Sequence, residues 1–168
     1  MNSNVKTSLW MQYDAAIDML KEAINQCPDS LWTAVLWDDA EDARFGQYWF
    51  IAYHGLFWLD LYLTGASEGF KPPAPFIRGS LPESPYPKDV ILKYLHECRQ
   101  KCQSVIEGLS DEKAQQICHF EWMEPSFLEL QLYTMRHIQE HSSQLRFFLG
   151  RQGIATNDWV ARGEAIGS

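Results

Sequence analysis

No apolar run in the chain approaches the roughly 18–20 residues that a membrane-crossing helix needs. Residues 1–6 are polar and lead straight into an amphipathic segment, so a secretory leader is not expected. Basic residues are few: 14 Lys and Arg stand against 22 Asp and Glu, for a formal net charge of −8. A surface of that sign repels phosphate backbones and anionic lipid, so neither nucleic acid nor a membrane is the expected partner. The four cysteines, Cys27, Cys98, Cys102 and Cys118, form no C-x-x-C pair, which excludes a zinc ribbon and a thioredoxin-like motif. A chain of 168 residues does not need covalent staples, so reduced thiols and a cytoplasmic location are expected. Alternation of period two, the mark of a half-buried strand, is missing throughout. Internal repeats and low-complexity segments are missing too.

What is present suits one helical domain spanning residues 1–168. Hydrophobic residues make up 46% and charged residues 21%, enough to bury a core and too apolar for extended disorder. Aromatics reach 14%, with seven Trp, which points to a core of large residues or a lined pocket. Over residues 7–26, Leu9, Tyr13, Ala16, Ile17, Leu20 and Ile24 recur at helical spacing, and Pro28 stops the helix. The structure of the apolar stretch 31–37 cannot be read from its pattern. Asp38, Asp39, Glu41 and Asp42 then read as a solvated capping turn ahead of a second helix, residues 45–63, striped by Phe50, His54, Trp58 and Leu61.

Residues 64–87 hold Gly65, Gly69, Gly79 and six prolines. A loop of this length in a compact domain needs a reason. A helix of about 20 residues is about 30 Å long, and an extended loop at about 3.3 Å per residue can run back along it. That is the connection two parallel neighbours require; a lid over a site is the compatible alternative. A third helix is expected over residues 87–109, striped by Ile91, Leu95, Cys98, Cys102, Val105 and Leu109. A short turn of helix follows through residue 116. The last long helix covers residues 125–150, with Phe127, Leu130, Thr134, His137, His141, Leu145 and Phe148 on its stripe. A polar, glycine-containing C-terminal tail, residues 150–168, ends the chain, with Trp159 as its anchor. The expected fold is therefore all-α: an up-down-down-up four-helix bundle with a long loop between helices 2 and 3.

Three histidines fall in these stripes. His137 and His141 are four apart, about 40° different in direction and one turn apart in height, so both rings reach one point. His54 sits mid-way along the second helix, at matching depth if the two helices are antiparallel neighbours. A lone histidine in an apolar stripe is ordinarily a core residue with a backbone partner. Three together need more partners than these stripes offer, whereas one metal ion satisfies all three, and three histidines plus an open position is a catalytic zinc arrangement.

Residues 48–63, YWFIAYHGLFWLDLYL, and residues 135–149, MRHIQEHSSQLRFFL, resemble the DinB-like family. Its pattern is one histidine on the second helix and H-x-x-x-H on the fourth, and His54, His137 and His141 stand at those positions. The resemblance implies a divalent metal ion at these three residues, zinc or nickel first and iron next. It also implies a homodimer and, in some members, thiol-dependent transfer or isomerisation using a low-molecular-weight thiol. The expectation is a metal-dependent enzyme, hydrolase or thiol transferase, acting on a small-molecule substrate. The alternative is a non-catalytic, metal-stapled bundle that binds a ligand or a protein partner. No catalytic acid or base stands out, and no organic cofactor is expected.

Rival motifs are weaker. His137–His141 also reads as H-x-x-E-H with Glu140 as base, but only 27 residues follow to supply the further ligand that such proteases take downstream. A di-iron bundle needs Glu-x-x-His, which the chain lacks. Cys98 and Cys102 share a face and read as small buried hydrophobes. Adjacent Cys118 and His119 chelate poorly, and His96 lies off the cysteine face. Asp60 is about 240° around the helix from His54. Tyr13 and Tyr53 are possible pocket borders, and Glu140 is a candidate partner for a ligating ring.

Overall fold

A computed structural model describes residues 1–165. It contains α1 (Ser3–Gln26), α2 (Tyr48–Tyr62), α3 (Lys88–Glu107), the short α4 (Asp111–Gln115) and α5 (Phe127–Arg151). Single 3-10 turns stand at Asp29–Leu31 and Ala43–Gly46. The described residues form no strand, only three isolated β-bridges. None of their helices is long and apolar enough to cross a membrane.

Capping chemistry sets the helix starts. The Asn2 side chain accepts from the Asn4 backbone N–H at 2.8 Å, so α1 begins four residues ahead of the expected position. The Ser126 hydroxyl accepts from the Glu129 N–H at 3.2 Å and opens α5. α2 starts at Tyr48 rather than residue 45, because Asp42 caps the 3-10 turn at Ala43–Gly46 instead. Gly65, at φ 79°, takes the left-handed conformation that closes α2.

Side-chain contacts give the helix directions. Tyr48, at the start of α2, meets Phe148 near the end of α5. Tyr62, at the end of α2, meets Tyr133 near the start of α5. The two helices are therefore antiparallel. Lys6 reaches the Glu107 carbonyl at 2.8 Å and Lys88 the Cys27 carbonyl at 2.6 Å, so α1 and α3 are antiparallel as well. Cys98 lies against the Leu56 carbonyl and Lys101 pairs with Asp60, which makes α2 and α3 parallel. Tyr13 bonds Gln131 and Met19 meets Gln139, so α1 and α5 are parallel. The bundle is up-down-down-up, as expected.

The 64–87 segment is both crossover and wall. Phe76 stacks on Tyr53 and Tyr94, and Tyr53 Oη donates to the Ile77 carbonyl at 2.9 Å. Arg78 donates to the Ser67 carbonyl at 2.7 Å, tying the loop to itself. Where the segment turns back to α3, Trp32 Nε1 donates to the Tyr86 carbonyl at 2.9 Å.

The core between the helices holds Ile17, Leu20, Leu56, Leu59, Leu130 and Leu145, all fully buried. Each contributes roughly 1.5–3 kcal/mol by leaving water. Cys98 and Cys102 belong to this core, where burial pushes both thiols well above their ordinary range, as inert packing groups should be. Two polar clusters are buried with partners. Asp14 is 2.7 Å from Arg99, and Asp60 is 2.5 Å from Lys101 and accepts from Tyr94 at 2.9 Å. The tail departs from expectation. Trp159 is 64% exposed and anchors nothing. The tail is held instead by hydrogen bonds: Asn157 bridges Gln26 and Glu22, the Gly163 N–H donates to the Met11 carbonyl at 2.9 Å, and the Glu164 N–H donates to Asp14 Oδ2 at 2.8 Å.

Candidate metal centre

Of the expected α5 stripe, Phe127, Leu130, Thr134 and Leu145 are fully buried, whereas His137, His141 and Phe148 lie one residue off the buried ridge. Ile138 and Ser142 point into the core, and His137 and His141, about 100° to the side, are half-buried on its shoulder. On α2 the same shift places Ile51, Gly55 and Leu59 inward and leaves Phe50, His54 and Trp58 on the shoulder. Because α2 and α5 are antiparallel, the two shoulders face one another at mid-height. The helices pack closely at Gly55: a Cβ there would make ordinary contact, 3.6 Å from His141 Cδ2 and 3.6 Å from Ile138 Cδ1, with no room beyond it for a larger side chain.

The three histidines meet. Ring centroids are 5.2 Å apart for His54 and His137, 5.0 Å for His54 and His141, and 4.3 Å for His137 and His141. One ring nitrogen from each lies within 4.8 Å of the others, and His137 Nε2 is 2.9 Å from His141 Nε2. In a tetrahedral site with bonds of about 2.0–2.1 Å, ligand atoms stand about 3.3 Å apart, a spacing these separations bracket. His141 Nδ1 donates to Gln144 Oε1 at 2.8 Å, which aims its Nε2 lone pair at the cluster. His137 Nδ1 is buried with no partner. Tyr133 lies parallel to the His137 ring, and Phe50 and Trp58 flank His54. Three neutral imidazoles with converging nitrogens can hold one borderline cation such as zinc or nickel.

Electrostatics keep the rings ready for one. Burial first, and then the neighbouring His141 and His137, hold His54 down to about 3. Burial and His141 hold His137 down to about 4. Burial lowers His141 as well, opposed by its bond to Gln144. All three are neutral near pH 7, the form that ligates metal.

Two cavities open at the cluster. One, of about 270 Å³, is walled by Phe50, Tyr53, Phe57 and Trp58 and by Ile77 and Leu81 of the crossover loop. The other, of about 280 Å³, lies between the 33–47 segment and α5, where Trp37 and Asp39 face His54 and His141. His54, Phe45 and Phe50 border both.

The other candidates fall elsewhere. Tyr13 is fully buried and donates to Gln131 at 3.2 Å, away from either cavity, whereas Tyr53 does line the first. Glu140 is exposed, and Gln144, one turn further along, partners the ring instead. His119 pairs with Glu124 at 2.9 Å on the surface, and His96 is exposed. Sequence reasoning missed Gln144, although its place three residues after His141 was a usable signal. It also missed Trp37, Asp39 and the loop residues Ile77 and Leu81, which reach the site only through tertiary packing.

Fold and cluster together define a four-helix bundle with a histidine triad between its second and last long helices. The family model described as the DinB superfamily matches residues 12–145, and the chain belongs to that superfamily. Among solved structures, the crystal structure of a DinB-like protein from Bacillus subtilis matches with a TM-score of 0.62. The alignment covers 95% of this chain and 98% of that one at 13% identity, a likeness of fold. No curated protein matches the chain.

Proposed function

We propose that the protein binds one divalent cation, zinc or nickel first and iron next, through His54, His137 and His141, and that it is a metal-dependent enzyme acting on a small molecule. The observation that carries this reading is the place of the triad. Its rings sit on two helix shoulders beside open cavities, not sealed in the core as a purely structural staple would be. A divalent ion held there supplies Lewis-acid chemistry, polarising a substrate oxygen or favouring the ionised form of a coordinated water or thiol. The protein's own groups do the rest. Gln144 fixes the His141 ring, aromatic side chains make an apolar wall on one side, and Asp39 lines the cavity on the other.

Two cavities meeting at His54 suit a reaction between two organic partners. That favours transfer of a low-molecular-weight thiol to an electrophile over simple hydrolysis. In the same reading the protein is a cytoplasmic homodimer, which light scattering checks.

Metal analysis of the purified, metal-supplemented protein is expected to give about one ion per chain, and His54→Ala and His137→Ala are expected to abolish it. Stoichiometry near zero in the native protein would overturn the reading. A turnover screen pairing thiols with electrophiles, run beside activated esters, separates transferase from hydrolase. Uniform lack of metal-dependent turnover would leave the non-catalytic binder.

A further inference from the structure

The cavity between α2 and the crossover loop has a chemistry of its own. Phe50, Tyr53, Phe57 and Trp58 present rings edge-on or tilted to one another, with centroids 5.5–6.1 Å apart. Ile77 and Leu81 complete the apolar wall from the loop side. No Asp, Glu, Lys or Arg lines it. The Tyr53 hydroxyl, its most polar aromatic group, is already spent on the Ile77 carbonyl. A charged ligand entering this space would meet no opposite charge, with the Ser80 hydroxyl and the His54 ring as its polar side-chain neighbours, and would give up part of its hydration for them. An uncharged flat ring loses little and gains edge and face contacts.

Size narrows the choice. An apolar cavity of about 150 Å³ accepts benzene. This one, at about 270 Å³, has room for two fused rings and too little for a drug-sized molecule. His54 forms part of its wall, so a ring seated here ends against the histidine cluster.

We propose that this cavity is the binding site for an uncharged aromatic group of up to two fused rings, and that such a group is the apolar half of the substrate. The second clause rests on the function proposed above; the binding itself does not.

The test is isothermal titration calorimetry with 2-naphthalenemethanol and with the anion 2-naphthoate. Each is run on metal-supplemented and on chelator-treated protein, with the metal content of every sample measured. The neutral alcohol should bind one site per chain in both forms. In the chelator-treated protein the carboxylate should bind at least about tenfold more weakly, since it enters the same space with its charge unpaired. Ile77→Asp and Leu81→Asp, both on the loop wall rather than in the helical core, should each weaken the alcohol at least about tenfold. Thermal melts identify a variant that has unfolded, in which case the other decides. Absence of alcohol binding, equal affinity for the anion without metal, or unchanged affinity in the folded variants would overturn the proposal. Failure here with one ion still bound sinks the cavity assignment alone; intact alcohol binding in a protein that never takes metal sinks the metal reading alone.

Discussion

Acid should destabilise the metal-free protein well before its carboxylates titrate. In the folded chain, burial and mutual repulsion hold His54 down to about 3 and His137 to about 4. In the unfolded chain both return to about 6.5. Below that value the unfolded state binds protons that the folded state refuses. The stability these rings lend is therefore complete above about pH 6.5 and drains away as the pH falls toward 4 and 3. Between pH 6.5 and 5.0 each ring removes about 1.6 kcal/mol, so the pair removes about 3 kcal/mol, a large share of a typical 5–15. His141 is lowered too and acts in the same direction. Asp18, held up chiefly by burial, acts in the opposite direction, and a floor at pH 5.0 limits its part. With a urea slope near 2 kcal/mol per molar, the unfolding midpoint should drop by about 1.5 M across this window. The assay is urea unfolding followed by tryptophan fluorescence at four pH values on chelator-treated protein. His137→Gln should cut the slope by about a third to a half, since His54 and His141 still contribute. A midpoint that stays level from pH 6.5 to 5.0 would show that the rings protonate freely in the fold, and the clustered, half-buried geometry would be refuted with it.

Gln144→Ala should weaken metal binding by about 10–100-fold without changing the helical fold, because it removes the acceptor that orients His141; competition against a chromophoric chelator measures this. Gly55→Ala should be tolerated, since its Cβ makes ordinary contact at 3.6 Å, whereas Gly55→Leu should force α5 away and lower both metal occupancy and melting temperature. Gly163→Ala should release the tail, because a Cβ there would stand 2.5 Å from the Asp14 carboxylate. Faster tryptic cleavage at Arg162, followed by mass spectrometry, is the readout.

Much of the fold was legible because its determinants are local. Stripes at steps of three and four, Pro28 after α1 and Gly65 after α2 marked the helices, and one long proline-rich connection implied the parallel pair. Errors arose where capping competes with periodicity. Asn2 extends α1 backward and Asp42 diverts the residues ahead of α2 into a 3-10 turn. The His137–His141 pair was legible from spacing alone, since the two share a helical face whatever the packing; His54 joined it only through the expected antiparallel bundle and the family resemblance. The surroundings of the triad were not legible. Asp39 read as a solvated turn residue, and its Oδ1 does accept from the Glu41 N–H at 2.9 Å. Only the fold of the 33–47 segment brings it to the cavity that His54 and His141 also line. Trp159 misled by size, because an aromatic side chain suggests burial that the backbone bonds at Gly163 and Glu164 make unnecessary.

The one-residue offset of the three histidines from the buried ridges bears directly on function. Had the histidines lain on the ridge of each helix, they would occupy the positions of Gly55, Ile138 and Ser142, and an ion between them would be closed off by the bundle. On the shoulder they give up part of their burial, and their protonation equilibria are perturbed less than full enclosure would cause. In return, one side of the cluster faces an aromatic cavity and the other a carboxylate-bearing one. The core behind them is left to Ile138, Leu145 and Leu59, which are fully buried and line neither cavity. Packing and chemistry are thus assigned to adjacent residues of the same helices. Substitutions that move the shoulder residues should therefore alter metal binding more than melting temperature, and truncation of the ridge residues Leu59, Ile138 and Leu145 should do the reverse.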